Sequence, residues 1–159
     1  MAGNRAEALA RLDVFVGEWV VEARFSGDQP APSSASDAGT IARSRFAWAL
    51  DRQFLVQHTE IPIPEAPDSM SIVGADLATG AYTQHYYDTR GVARLYAMSL
   101  VDRVWTLTRE SPDFTPLDFG QRFIGTFSED GNTIAGAWEI RHDGGEWEHD
   151  FALVYRRDS

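Results

Sequence analysis

Three consecutive segments near the end of the chain, Gln121–Ser128, Thr133–His142 and Trp147–Arg156, alternate large apolar and polar residues, and this constrains the fold more than any other feature. A period of two marks a strand with one buried face. The breaks at Asp130-Gly131 and Gly144-Gly145 are hairpin signals, because two-residue turns need positive φ. Read as two-residue turns, they set Phe127 opposite Ile134, Gly125 opposite Gly136 and Phe123 opposite Trp138. The second turn sets Ile140 opposite His149, Trp138 opposite Phe151 and Gly136 opposite Leu153. All these residues fall on one face, and a slip of one residue would expose the whole set. Phe123, Trp138 and Phe151 form an aromatic row. The paired glycines beside it are either a bend in the sheet or room for a ligand against bare backbone. His149 is the titratable group placed with this inward set.

The rest of the chain repeats the pattern. Residues 5–14 predict a short helix anchored by Leu9 and Leu12, packed as a plug on one end of the sheet. Phe15–Phe25 alternates strongly and places Trp19 inward. Residues 26–39, rich in Pro, Ser, Ala and Asp, predict a flexible loop. Thr40–Leu50 and Gln53–Ile61 form a hairpin with Arg45 opposite His58 and Arg43 opposite Glu60. Apolar residues occur on both faces of 40–61 and 82–89, so their inward face stays open. Pro62–Pro67 is a connection, since proline cannot donate to a ladder. Met70–Asp76, Tyr82–Thr89, Val92–Val101 and Val104–Glu110 are further strands, followed by a loop over 111–120. A turn at Asp102-Arg103 pairs Leu100 with Trp105, Met98 with Leu107 and Tyr96 with Arg109. That brings Arg109, Tyr96 and also Arg94 to the inward side.

About ten strands joined by hairpins, with no helices between them, exclude βαβ units and predict an all-β fold. The expected architecture is a single domain over 1–159: an antiparallel up-and-down barrel, closed so that no edge is exposed, with a tail at 157–159. Such a barrel is wide enough inside for a small ligand. The 24 acidic residues against 14 basic ones, a net charge of −10, oppose binding to nucleic acid or an anionic membrane. No apolar run approaches the roughly 20 residues of a membrane span. With no cysteine there is no thiolate metal site or disulfide. The opening Met1-Ala2-Gly3-Asn4-Arg5 lacks a signal peptide's apolar core, so a cytoplasmic location is expected. A homodimer is compatible with these features.

The ligand-binding candidates are Trp19, Tyr96, Trp105, Arg109, Phe123, Trp138, His149 and Phe151. The aromatic members would hold an apolar or aromatic small molecule, and Arg109, Tyr96 or His149 its anionic or polar end. Arg109 is alternatively paired with a barrel carboxylate such as Asp88. A second reading is an enzyme of isomerase, cyclase or hydratase type, with His149 as acid–base and Arg109 stabilising an anion. Nucleophile motifs, phosphate loops and paired carboxylates are missing from the sequence.

Phe15-Val16-Gly17-Glu18-Trp19, Ile72-Val73-Gly74-Ala75-Asp76, Tyr86-Tyr87-Asp88-Thr89-Arg90-Gly91, Asp130-Gly131-Asn132, Trp138-Glu139 and Trp147–Phe151 together resemble the DUF1579-type family of bacterial calycin-like β-barrels. The resemblance covers nearly the whole chain. It implies a barrel of lipocalin or fatty-acid-binding-protein type and no settled activity. More distantly the chain is similar to nitrobindins, which open on Gly-x-Trp-x-Gly-x-Gly and ligate haem through a late histidine. Gly17 and Trp19 match, whereas Val21 and Ala23 stand in place of the later glycines. That likeness would imply haem as cofactor with His149 as ligand; otherwise no cofactor is expected.

Overall fold

The computed structural model describes residues 2–25, 40–62, 66–114 and 116–158. The loop expected at 26–39 lies outside them, as does the middle of the proline-rich connection. A helix α1 (Ala2–Arg11) runs into a 3-10 turn (Leu12–Phe15), so the predicted helix begins earlier and tightens before its predicted end. Ten strands follow: β1 (Gly17–Phe25), β2 (Thr40–Ala49), β3 (Phe54–Glu60), β4 (Ser69–Ala75), β5 (Tyr82–Asp88), β6 (Ala93–Val101), β7 (Val104–Arg109), β8 (Gly120–Phe127), β9 (Thr133–Arg141) and β10 (Glu148–Arg157). Each pairs antiparallel with its sequence neighbours, and β1 pairs with β10 to close the barrel. Closure satisfies every edge. The final strand runs on through Arg157.

The registers expected from the turns are the observed ones across β8–β9 and β6–β7, including Phe123 opposite Trp138 and Met98 opposite Leu107. Arg45 lies opposite His58 and Arg43 opposite Glu60. The undecided faces resolve as well. Leu55 and Gln57 of β3, and Tyr82 and Gln84 of β5, are buried, while His58 and Tyr87 are exposed.

One register departs. Phe151 lies opposite Trp138, but His149 lies opposite Glu139 and Glu148 opposite Ile140, with the chain slipping by one residue at Asp150. The cause is the turn. Asp143 (φ 49°) joins Gly144 (φ 73°) in the left-handed region, and the Gly145 N–H bonds back to the His142 carbonyl. That bond closes a two-residue turn on Asp143-Gly144, one residue earlier than Gly144-Gly145, so the pairing beside the turn is displaced until a β-bulge between His149 and Phe151 restores the expected register. His149 is therefore exposed on the outer surface, not inward as the alternation predicts. Burial at the bulge raises the Asp150 carboxyl above its ordinary range, with His149 pulling it back.

The paired glycines leave neither a void nor room for a ligand. A Cβ on Gly125 would meet the Phe123 ring at 2.8 Å, and one on Gly136 would meet the Ile124 carbonyl oxygen at 2.6 Å. The Phe123 ring lies over both glycines and fills the low spot.

α1 and the 3-10 turn close one end of the barrel. Ala8, Leu12 and Phe15 are buried, and the Phe15 ring sits among Phe46, Trp105 and Phe127 at 4.9–5.2 Å. Asp13 accepts from the Trp48 indole at 2.8 Å and from Arg52 at 2.9 Å, while Tyr82 donates to the Ala8 carbonyl. The Tyr82 bond satisfies a buried carbonyl, while the exposed Asp13 bonds tie the 3-10 turn to the β2–β3 hairpin.

Candidate functional site

The middle of the barrel, beyond this plug, is hollow. A cavity of about 300 Å³ extends to Ala66 at the β3–β4 connection. This is at the lower end of the range for small-molecule pockets, roughly 300–1,000 Å³. Its two walls differ. Strands β7–β10 present Trp105, Leu107, Phe123, Trp138, Phe151 and Leu153. Strands β3–β5 present Gln57, Thr59, Ser69, Ser71, Gln84 and Tyr86. An aromatic wall thus faces a wall of neutral polar groups.

Part of the polar wall is bonded to itself. Gln57 donates to Ser44 Oγ at 2.8 Å, and Ser44 shares a hydrogen bond with Thr59 at 3.0 Å. Tyr86 donates to Asp88 Oδ2 at 2.9 Å. Among the described residues, two buried atoms of the lining have no partner: the indole N–H of Trp105, a donor, and Oε1 of Gln84, an acceptor. Buried polar groups are nearly always bonded, so such exceptions in a cavity wall point to a binding surface.

No Asp, Glu, His, Lys or Arg lines the cavity among the described residues. Its titratable groups are two phenols. Burial pushes Tyr155 up to about 12, with a Gln57 hydrogen bond working against the shift. Burial, and then Asp88, push Tyr86 up further. Neither can act as a base near neutral pH. Asp88 is itself held at about 2: burial raises it, but hydrogen bonds from Arg90 and Tyr86 outweigh that.

Of the eight sequence candidates, Trp105, Phe123, Trp138 and Phe151 line the cavity. The other four do not. Trp19 is fully buried near the plug, where its indole donates to the Phe15 carbonyl at 2.8 Å and Arg157 covers its ring at 4.2 Å. Tyr96 lies behind the lining, 5.7 Å from Trp138 and 6.5 Å from Tyr86 between ring centroids, with its hydroxyl on Gln121 Oε1. Arg109 is 3% exposed and forms a bidentate pair with Asp113, from the loop after β7 and not the Asp88 expected. His149 is on the outer face, so acid–base chemistry by His149 with Arg109 has no common site.

The lining does not fit haem held through His149. None of the four histidines lines the cavity, and both phenols that do are held protonated. Among the described residues no three His, Cys, Asp or Glu cluster for a metal ion.

The polar wall escaped the sequence reading. Its signal is the period-two set Tyr82, Gln84 and Tyr86, which becomes inward once β6 is in register, since Gln84 lies opposite Tyr96 and Tyr82 opposite Met98.

No family model matches the chain, and no curated protein does. Among solved structures the chain is similar to the crystal structure of Rv2717c from M. tuberculosis, with a TM-score of 0.61 at 15% identity over 96% of this chain and 98% of that one. At that identity the two share a fold. No helix among the described residues is long and apolar enough to cross a membrane.

Proposed function

We propose that this protein binds a small apolar or aromatic molecule inside the barrel, with the molecule's rings against Trp105, Trp138 and Phe151 and its polar atoms toward Gln84 and the Trp105 indole. The observation that carries this reading is the cavity itself, hollow between an aromatic and a polar wall, with one unmatched donor and one unmatched acceptor. Apolar walls with a few placed polar groups are the usual build of a ligand pocket. Acid–base catalysis gains no support from the lining. Membership of the DUF1579-type family and a cytoplasmic location belong to the same proposal.

The test is calorimetric titration with 2-naphthamide, a flat two-ring probe carrying a neutral acceptor and donor. Saturable one-to-one binding with a negative heat-capacity change is the expected result. Trp105→Phe keeps an aromatic ring in the wall but removes the N–H with part of the indole surface, and is expected to weaken binding by about fivefold or more, fivefold being the size of one neutral hydrogen bond. Absence of saturable heat overturns the reading. Unchanged binding in Trp105→Phe overturns the role given to the indole.

A further inference from the structure

Among the described residues, Arg94 is a cation at this end of the barrel that the ion pairs leave over. The alternation of β6 puts it on the inward side with buried Tyr96 and Met98, directly opposite Tyr86 of the cavity wall. Directly opposed residues have their Cβ atoms about 5 Å apart, so its side chain starts beside the lining. Nearby arginines each hold a carboxylate: Arg109 holds Asp113, Arg90 holds Asp88 at 2.6 Å, and Arg141 holds Glu110. Among the described residues Arg94 forms no such ion pair. Its Nη1 donates to the neutral Gln121 Oε1 at 3.3 Å, an oxygen that already accepts from Tyr96 at 3.2 Å. Its Nε is buried with no hydrogen-bond partner among the described residues. A partly buried guanidinium supported by a shared amide oxygen and the neighbouring Tyr96 phenol, with Nε left over, is expensive unless an anion completes it.

We propose that Arg94 anchors the anionic head of the ligand, which makes the ligand class an amphipathic monoanion with its apolar body in the cavity and a carboxylate at Arg94. This rests on the reading that the cavity holds a small molecule. A planar carboxylate matches the guanidinium fork through two parallel N–H bonds, with Nε as one donor.

The experiment pairs 2-naphthoate with 2-naphthamide, which share the ring system and differ in charge. Each is titrated calorimetrically into wild type, Arg94→Gln and Arg94→Lys. Arg94→Gln is expected to weaken 2-naphthoate about 10- to 100-fold, the range for a hydrogen-bonded charge, and to leave 2-naphthamide within about twofold. Arg94→Lys keeps the charge without the fork and is expected to fall between, and it also serves if the glutamine variant does not fold. Equal binding of 2-naphthoate by wild type and either variant overturns the proposal while 2-naphthamide binding leaves the cavity reading standing. Failure of both probes with wild type overturns the two together.

Discussion

Asp113→Ala is expected to destabilise the protein by about 3–5 kcal/mol, the loss typical when one member of a buried ion pair is removed. Arg109 and Asp113 are 3% and 7% exposed at their side chains, and the carboxylate takes two bonds from the guanidinium, at 2.8 and 3.0 Å. The same carboxylate accepts the Leu95 backbone N–H at 2.7 Å, so it ties the loop after β7 to the edge of β6. Truncation leaves a charge in the wall without its counter-ion. Replacing both residues together, Arg109→Met with Asp113→Leu, is expected to recover most of the loss, because two neutral side chains need no mutual compensation. Equilibrium urea unfolding measures both variants. A loss below about 1 kcal/mol in Asp113→Ala, a value typical of exposed pairs, would mean that the pair is solvated.

Gly136→Ala is expected to cost about 3 kcal/mol, the upper end of overpacking in a filled interior. The new methyl would meet backbone, the Ile124 carbonyl oxygen at 2.6 Å and the Gly125 Cα at 2.8 Å, and backbone in a closed barrel yields little. Gly125→Ala is the comparison. There the methyl meets the Phe123 ring at 2.8 Å and an Ile134 methyl at 3.0 Å, both side-chain atoms that can move. Its loss is expected to be the smaller of the two by urea unfolding. The reverse order would show that the Phe123 ring, and not the β8–β9 backbone, sets the packing limit.

Much of the barrel is legible in the chain because turns and alternation give the same answer. Asp130-Gly131 and Asp102-Arg103 each fix a register that the facing apolar residues repeat, and both registers are observed. The third turn misleads for a local reason. Asp143-Gly144 is a hairpin signal of the same kind as Asp130-Gly131 and overlaps Gly144-Gly145; the turn forms on the aspartate pair, and the displaced register beside it sends His149 to the surface. The aromatic lining of the cavity is readable because Trp105, Trp138 and Phe151 sit on strands with one clear inward face. Polar ones are not, because β3 and β5 carry bulky residues on both sides, with Tyr87 and Tyr86 in succession. Arg109 is correctly placed inward, but its partner comes from an irregular loop whose conformation no periodicity encodes.

A hollow interior makes a direct demand on a small inward residue. Ala42 is 7% exposed and lines the cavity. Ala42→Phe adds a ring that about 300 Å³ of space can take without displacing the aromatic wall. Equilibrium urea unfolding of Ala42→Phe is the decisive measurement. A stability within about 1 kcal/mol of wild type is the result a lined cavity predicts, whereas a loss of about 3 kcal/mol would indicate a packed centre and contradict it.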